Sequence, residues 1–409
     1  MSHSNGARRV LFVCRAASSE SARTAEAIGG LDDVEVLTAD VSDAESMVAI
    51  AKKTGSVERI VTAQETLLEA VAMANEALGL PGLSVEAVRR TLNKSEFKFT
   101  LQRAGINTPR YQLVRDLTDA HAFAEQIGFP IVLKSLSGSG ALATFVIRSD
   151  KDLERAIFLG QQSFLAEQYI TGQELCVDTI TIDGEPRFHS ICCYQPSILE
   201  AVERPDTQWS CVMPRDLHVY ERFIEQGLKA IRALSVGNAM THMEGFIDSA
   251  GCPWFTDATL RPAGARIAPM LAFAYDIDPY RTWARVAIDG CYDGPWERKY
   301  AVGTIFLRGV GAGSVQQVDG VEAVQQEFGD LLVDVRWPQP GARKSATYTG
   351  DGFITVRHQN TDLVQDALYR IARLLKVTYS SERQPTTETW EQRLENFGEL
   401  NRPAWDQAN

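Results

Sequence analysis

The sequence predicts an α/β protein built in several units: a Rossmann-like start, a central α+β body and an α+β end. Three observations carry this. Apolar strand-like runs alternate with helical patterns between residues 9 and 78, the order that builds a parallel sheet. ELCVDTITI, DG and EPRFHSICCY make a long hairpin around Asp183-Gly184, a favoured two-residue turn. EGFIDSAGCPWFTDATLRPAG reads as a second strand pair that folds back at Ala250-Gly251, with its acidic residues on one face.

Bulk properties bound the function. A chain of 409 residues exceeds the size that one hydrophobic core serves. With 44% hydrophobic and 23% charged residues, it has a soluble globular composition. Its formal charge of -12 and the lack of any basic run argue against a nucleic-acid partner, which would need clustered Lys and Arg. The seven cysteines are odd in number and form no CxxC pair, so they read as small buried hydrophobes rather than zinc ligands or disulfides. MSHSNGARRVLFVC holds only a short apolar stretch, so neither a signal peptide nor a membrane span is read, and a reducing cytoplasm is expected.

In order, RVLFVC (9–14) is a strand followed by a helical pattern through Ala22, Ala25 and Ile28. VEVLTA (34–39) and RIVTA (59–63) are further strands, and a helix from Thr66 to Leu78 stops at Gly79. No GxGxxG follows the first strand, so dinucleotide binding gains no support. Asn93 with Glu96 has the form of a capping box and starts a helix from Lys94 to Ala104, which Gly105 and Pro109 end. Next come YQLV, a helix at 118–127, the strand FPIVLK, the loop SLSGSGA (135–141), the strand ATFVIR, a helix at 151–160 and the strand FLAEQYI. Residues 199–214 read as an irregular loop. YAVGTIFLRG, LLVDVRW and GFITVRH are strands, with helices at 321–328 and 361–375. The polar residues 381–409 read as a loosely docked tail.

The second strand pair carries the chemistry. A turn at Ala250-Gly251 pairs residues whose numbers sum to 501, so Glu244 faces Asp257. Opposed carboxylates with β-carbons roughly 5 Å apart repel unless a cation intervenes, and a hard divalent ion shared with phosphate oxygens meets that need. Alternation puts Thr259 and Arg261 on the face of Asp257. Arg261, Pro262 and Gly264 then end the strand in a turn whose N–H groups suit a phosphate or carboxylate. Arg266 can assist there, and reads equally well as a surface charge. Lys134 closes a buried strand before SLSGSGA, whose amides are able to cover phosphates, although such loops are more often connectors. Lys94, near a helix N-terminus, gains a purpose only if phosphates lie there. In EQYITGQE, Glu167 and Ile170 are placed for an adenine hinge and Glu174 for ribose. A strand-edge charge is the simpler reading of each glutamate by itself. His242 shares the Glu244 face and reads as a structural histidine.

The ordered set LGLPG, LNKSEFKFTLQRAGINTP, FPIVLKSLSGSGA, EQYITGQE and HMEGFIDSAGCPWFTDATLRPAGARI resembles the ATP-grasp superfamily, especially its carboxylate-amine ligases such as bacterial L-amino-acid ligases and dipeptide synthetases. The resemblance implies a Rossmann-like domain at 1–92, an ATP-grasp core at 93–296 with a mobile lid at about 109–168, a closing α+β domain at 297–380 and the tail 381–409. It makes Lys94 and Lys134 the phosphate-binding lysines, and Ser137, Gly138, Ser139 and Gly140 the flap over the triphosphate. Glu167, Tyr169 and Ile170 become the adenine hinge and Glu174 the ribose ligand. Glu244 and Asp257 become ligands of Mg2+, or Mn2+ in its place. Arg261 and Gly264 hold the substrate carboxylate and its acyl phosphate. ATP, a small carboxylate and an amine are the implied partners, in a chain that is expected to be a homodimer and to touch neither nucleic acid nor membrane. Asp257 stands where Glu is usual, Thr259 where Asn is common and Lys98 where Arg is common, which leaves a second metal ion in question.

A carboxylating or purine-pathway ATP-grasp enzyme is the competing expectation, and a regulatory ATP-binding protein without turnover a more distant one. SLSGSGA is much poorer in glycine than the biotin carboxylase loop. A phosphatase reading of LFVCRAASSES fails, because the arginine it needs six places after Cys14 is Glu20. Glu203, Arg204 and Trp209 are candidates to line the substrate pocket.

Overall fold

The computed structural model describes residues 7–15, 19–55, 57–135, 144–159, 164–204, 208–345 and 347–381. The flap residues Ser137, Gly138, Ser139 and Gly140, and the tail beyond 381, lie outside them.

The first unit runs β1 (Arg8–Val13), α1 (Ser19–Gly29), β2 (Val34–Ala39), α2 (Ala44–Thr54), β3 (Val57–Val61) and α3 (Leu68–Leu78). Its three strands form a parallel sheet in the order β2-β1-β3, as the alternation predicts. Gly79 ends α3 with a left-handed φ of 65°, a conformation that favours glycine. Next come α4 (Val85–Leu92) and α5 (Lys94–Arg103). Asn93 caps α5 by accepting from the Ser95 and Glu96 amides. The reciprocal half of the expected capping box does not form, because the Asn93 N–H is already donated to Arg89 O at the end of α4.

The unit expected to form the lid comprises β4 (Tyr111–Val114), α6 (Leu117–Ile127), β5 (Ile131–Ser135), β6 (Thr144–Ile147), α7 (Asp150–Leu159) and β7 (Phe164–Gln168). Its antiparallel sheet has the order β4-β7-β5-β6. Phe123, Leu133, Phe145 and Leu153 share its core.

The body is one eight-stranded antiparallel sheet. It contains β8 (Gly172–Ile182), β9 (Glu185–Gln195), β10 (Trp209–Met213), β11 (Ala239–Asp248), β12 (Pro253–Thr259), β13 (Ala301–Leu307), β15 (Leu332–Arg336) and β16 (Gly352–His358). Their order is β12-β11-β8-β9-β10-β13-β16-β15, so the strands after residue 297 extend the central sheet. A separate ribbon pairs β14 (Ala312–Asp319) with β17 (Lys376–Ser381). The near-continuous apolar run of β8 has a simple cause: both faces are covered. Leu175 and Val177 pack with Phe223 and Ile231 of α9 (Glu221–Leu234), while Cys176 and Ile180 pack with Met270 of α10 (Ile267–Tyr275) and Trp283 of α11 (Pro279–Asp289). Helices α12 (Val321–Phe328) and α13 (Thr361–Leu374) complete the last unit.

Residues 199–214 are not the irregular loop the sequence suggests. A short helix, α8 (Ile198–Glu203), is capped by Ser197, and β10 follows it. Among the cysteines, Cys176, Cys192, Cys193 and Cys211 are buried as expected, Cys14 and Cys252 are half-buried and Cys291 is exposed; all are free. No helix among the described residues is long and apolar enough to cross a membrane.

Candidate active site

Glu244 faces Asp257 across β11 and β12, as the strand register predicts. A bulge is what brings them together. Next to the turn, Gly245 faces Phe255 and Ile247 faces Pro253, numbers that sum to 500, whereas from Glu244 onward they sum to 501. The extra residue is Thr256, whose hydroxyl donates to Glu244 O at 3.3 Å. Without the bulge Thr256 would face Glu244 in place of Asp257, since one added residue shifts every later side chain by one place.

Lys98, at 0% exposure, holds that bulge by donating to Thr256 O at 2.6 Å. It also lies 2.9 Å from Glu167 Oε1, while Lys134 lies 3.1 Å from Oε2 of the same carboxylate and Lys94 3.1 Å from Asp257. Three lysines and two carboxylates thus form two neighbouring ion-paired sets, Lys94–Asp257 and Lys98–Glu167–Lys134, and all three lysines act on Asp257. Burial works against the Asp257 and Glu167 carboxylates, yet the lysines outweigh it and hold both below the usual range. Asp257 raises Lys94, whereas burial lowers Lys98.

All of these groups except Lys98 line a single cavity between lid and body. Its walls include Lys94, Lys134, Glu167, Tyr169, Ile170, Glu174, Glu244 and Asp257, so the residues expected to hold nucleotide and metal converge. One detail differs from the hinge reading of Glu167: its carboxylate clamps Lys98 and Lys134. Glu174 is buried and accepts from the Ile198 amide at 2.7 Å. Burial, with Glu244 nearby, pushes its carboxyl up to about 8.

A second cavity adjoins the first, sharing Glu244, Asp257, Ile198 and Tyr348 and adding Arg261, Gly264 and Ile267. Gly264 lies against the Arg261 guanidinium, where a β-carbon would stand 3.8 Å from Nη1. Ala265 and Arg266 carry left-handed φ values of 46° and 64° just before α10 begins. Such strain in non-glycine residues clusters at ligand sites, and the start of a helix offers N–H groups to an anion.

The donor set suits a hard divalent cation bridged to phosphate, because Glu244 and Asp257 supply oxygens and the lysines supply the countercharge. Glu244 is steadied from one side: His242 Nε2 lies 3.3 Å from its Oε1, and His242 Nδ1 lies 2.9 Å from Asp178. The structural reading of His242 fits these contacts.

Four substrate candidates fall away from both cavities. Glu203 pairs with Arg148 through both carboxylate oxygens, and Arg204 pairs with Glu200. Trp209 is core, stacked on Phe306 at 4.2 Å, because the segment that carries it is a central strand. Its indole donates to Tyr348 O at 2.7 Å, so it fixes a residue that lines both cavities without lining them itself. Arg266 pairs with Asp334 and lies over the Phe353 ring.

Two site residues escaped the sequence. Glu65, just after β3, lies 3.1 Å from Arg261 Nη2; its position beyond the carboxyl end of a parallel strand was the available signal. Tyr348 comes from a distant loop and had none.

Fold and site agree with an ATP-grasp domain in the part of the chain that the family comparison covers. The RimK-like ATP-grasp domain family matches residues 91–185, from the end of α4 to the start of β9. The chain is 26% identical over 267 residues to the L-arginine-specific L-amino acid ligase of Bacillus subtilis, across 63% of each chain, just under two thirds of that relative. It is 28% identical over 215 residues to the D-alanine–D-alanine ligase of Desulforudis audaxviator, across 48% of this chain and 70% of that one. The crystal structure of an L-amino acid ligase from Bacillus licheniformis superposes with a TM-score of 0.72 at 19% identity, covering 91% of this chain and 99% of that one.

Proposed function

We propose that the protein is an ATP-dependent carboxylate-amine ligase, forming an amide or peptide bond through an acyl phosphate with release of ADP and phosphate. The observation that carries this is the junction of the two cavities at Glu244 and Asp257, with the lysines on one side and Arg261 with Gly264 on the other. The relatives named as amino-acid ligases support amino acids or similar small carboxylates as substrates.

In this reading Lys94 and Lys134 bind the triphosphate, Tyr169 and Ile170 border the adenine and Glu174 meets the ribose. The flap of Ser137, Gly138, Ser139 and Gly140 covers the phosphates. Glu244 and Asp257 hold a divalent ion, Mg2+ or Mn2+, which when bound neutralises phosphate charge and orients the γ-phosphate. Arg261 binds the substrate carboxylate, whose oxygen attacks the γ-phosphorus as the bond to ADP breaks. The acyl phosphate stays between Arg261 and the start of α10 until the amine displaces phosphate and gives up a proton. Positioning and charge neutralisation account for such catalysis. The units 1–92, 93–296 and 297–380 are the proposed domains, with the lid closing over the nucleotide.

The test is release of ADP and phosphate with pooled amino acids and other carboxylic acids, followed by product mass. Amide products support the proposal; carboxylated or carbamoylated products, or no turnover on any pool, overturn it. Arg261→Ala should lower ligation by at least a hundredfold while ATP affinity changes less than threefold, since each 1.4 kcal/mol lost in the transition state is tenfold in rate. Equal loss of binding would displace Arg261 from the acyl site.

A further inference from the structure

A third cavity, of about 300 Å3, lies where the N-terminal unit meets the body. Leu68 and Val71 of α3 form one wall, Met240 and Leu260 at the ends of β11 and β12 another, and Trp283 and Val286 of α11 the third. All six are at most 7% exposed. The cavity shares no lining residue with the two cavities of the candidate active site. Protein interiors close-pack and leave few voids larger than a water molecule, whereas this volume falls at the lower end of small-molecule sites.

Its polar inventory is one-sided. The Arg59 guanidinium, on a half-buried residue of β3, lines the cavity and makes no hydrogen bond or ion pair among the described residues, while burial disfavours its charge. Asp289, the acid with the largest influence on it, is engaged by Arg8 at 2.7 Å. Asn238 uses its side-chain oxygen to accept from the Asp183 amide at 2.6 Å, which leaves its NH2 group as a donor. The Asn75 amide is satisfied by both backbone groups of Ile60. The one carboxylate on the wall, that of Asp183, belongs to an exposed turn residue. An apolar chamber with a guanidinium and an amide donor wants an apolar body with an anionic, oxygen-rich head, and a carboxylate matches the guanidinium fork.

We propose that this cavity is a second ligand site, separate from the nucleotide and acyl sites, and that it takes a small monocarboxylate with a compact apolar body, its head on Arg59 and Asn238. Its walls run directly into the active site: Leu260 precedes Arg261, and Leu68 closes the turn that carries Glu65. An occupant therefore packs against both ends of the chain segments that hold the Arg261–Glu65 contact. The inference does not depend on the ligase reading, because its test measures binding alone.

The probe is 3-phenylpropionate, titrated by calorimetry against the full chain, with 3-phenylpropan-1-ol as the uncharged control. Saturable binding is expected, at least tenfold weaker for the alcohol, at least tenfold weaker in Arg59→Gln and unchanged in Arg261→Ala. Ala287→Phe and Val71→Phe, which fill the chamber from two different walls, should each abolish it. Either one that keeps the wild-type circular dichroism and ATP affinity is sufficient. Binding that disappears in Arg261→Ala and survives in Arg59→Gln and the filled variants would assign the acid to the acyl site and overturn the proposal. No saturable binding in the wild-type chain would overturn it as well.

Discussion

Lys98 shows how one buried charge can organise a site from which it is itself hidden. It is absent from the cavity wall, yet it joins Glu167 to the bulge carbonyl of Thr256. Removing one member of a buried ion pair leaves its partner uncompensated; Lys134 still faces Glu167, so Lys98→Met should cost about 3 kcal/mol, the low end for such losses. Denaturant unfolding measures it, and a cost below about 1 kcal/mol would mean that the cluster does not depend on Lys98. Glu174 makes the opposite case, a carboxyl held protonated. Its usual value is 4.5 and burial raises it to about 8. The folded chain therefore keeps a proton that the unfolded chain releases. The stability this contributes is complete below pH 4.5 and is lost as pH rises to about 8. Glu174→Gln should flatten that part of the stability curve, read as Tm against pH without nucleotide; an unchanged slope would assign the decline to other groups.

At the scale of elements, the β11–β12 pair matters most, because its bulge decides which side chains share a face. Gly245 stands beside it, and a β-carbon there would lie 2.3 Å from Trp254 O and 3.1 Å from the Phe223 ring. Backbone cannot yield as a flexible side chain can. Gly245→Ala should destabilise by about 1–3 kcal/mol, as overpacking does, and by forcing the strands apart should raise the metal concentration needed for half-maximal turnover. An unaltered metal requirement would show that the Glu244–Asp257 pairing tolerates the shift. The same pair shows why the register was legible. A turn at Ala250-Gly251 gives the right partners for Glu244, but the alternation of apolar residues carries no mark of the extra residue at Thr256. The bulge is a tertiary event, held by Lys98 reaching across from α5.

For the whole molecule, lid, body and N-terminal unit meet around the candidate site. Lys134 and Glu167 come from the lid, Asp257 and Arg261 from the body and Glu65 from the N-terminal unit. A ligand that binds only this assembled state must stabilise all of it. ATP with Mg2+ at a hundred times its Kd should add about 2.7 kcal/mol of stability, seen as a rise in Tm. In the double variant Glu244→Gln, Asp257→Asn the same nucleotide should give a smaller rise once Mg2+ is present. An equal rise would mean that the two carboxylates do not hold the ion.

Local patterns in the sequence were sufficient for the parallel start, the 183–184 hairpin and the end of α3 at Gly79, because each follows from residues close together in the chain, whereas the facing of Glu244 and Asp257, read correctly from the turn, depends on the bulge that Lys98 holds. Ordered motifs carried Lys94, Lys134, Glu174 and Arg261 to the cavities where the structure places them. Trp209, Glu203 and Arg204 went astray because composition cannot separate a mixed-polarity loop from a central strand and its capping helix; only packing against Phe306 buries that indole. Glu65, Tyr348 and Lys98 acquire their contacts across 196, 139 and 158 residues of chain respectively, separations over which no local pattern extends. The sequence by itself determined which side chains were candidates for the site. The tertiary structure decided which of them meet, since burial, ion pairing and strand order are set by neighbours that the chain supplies from far away.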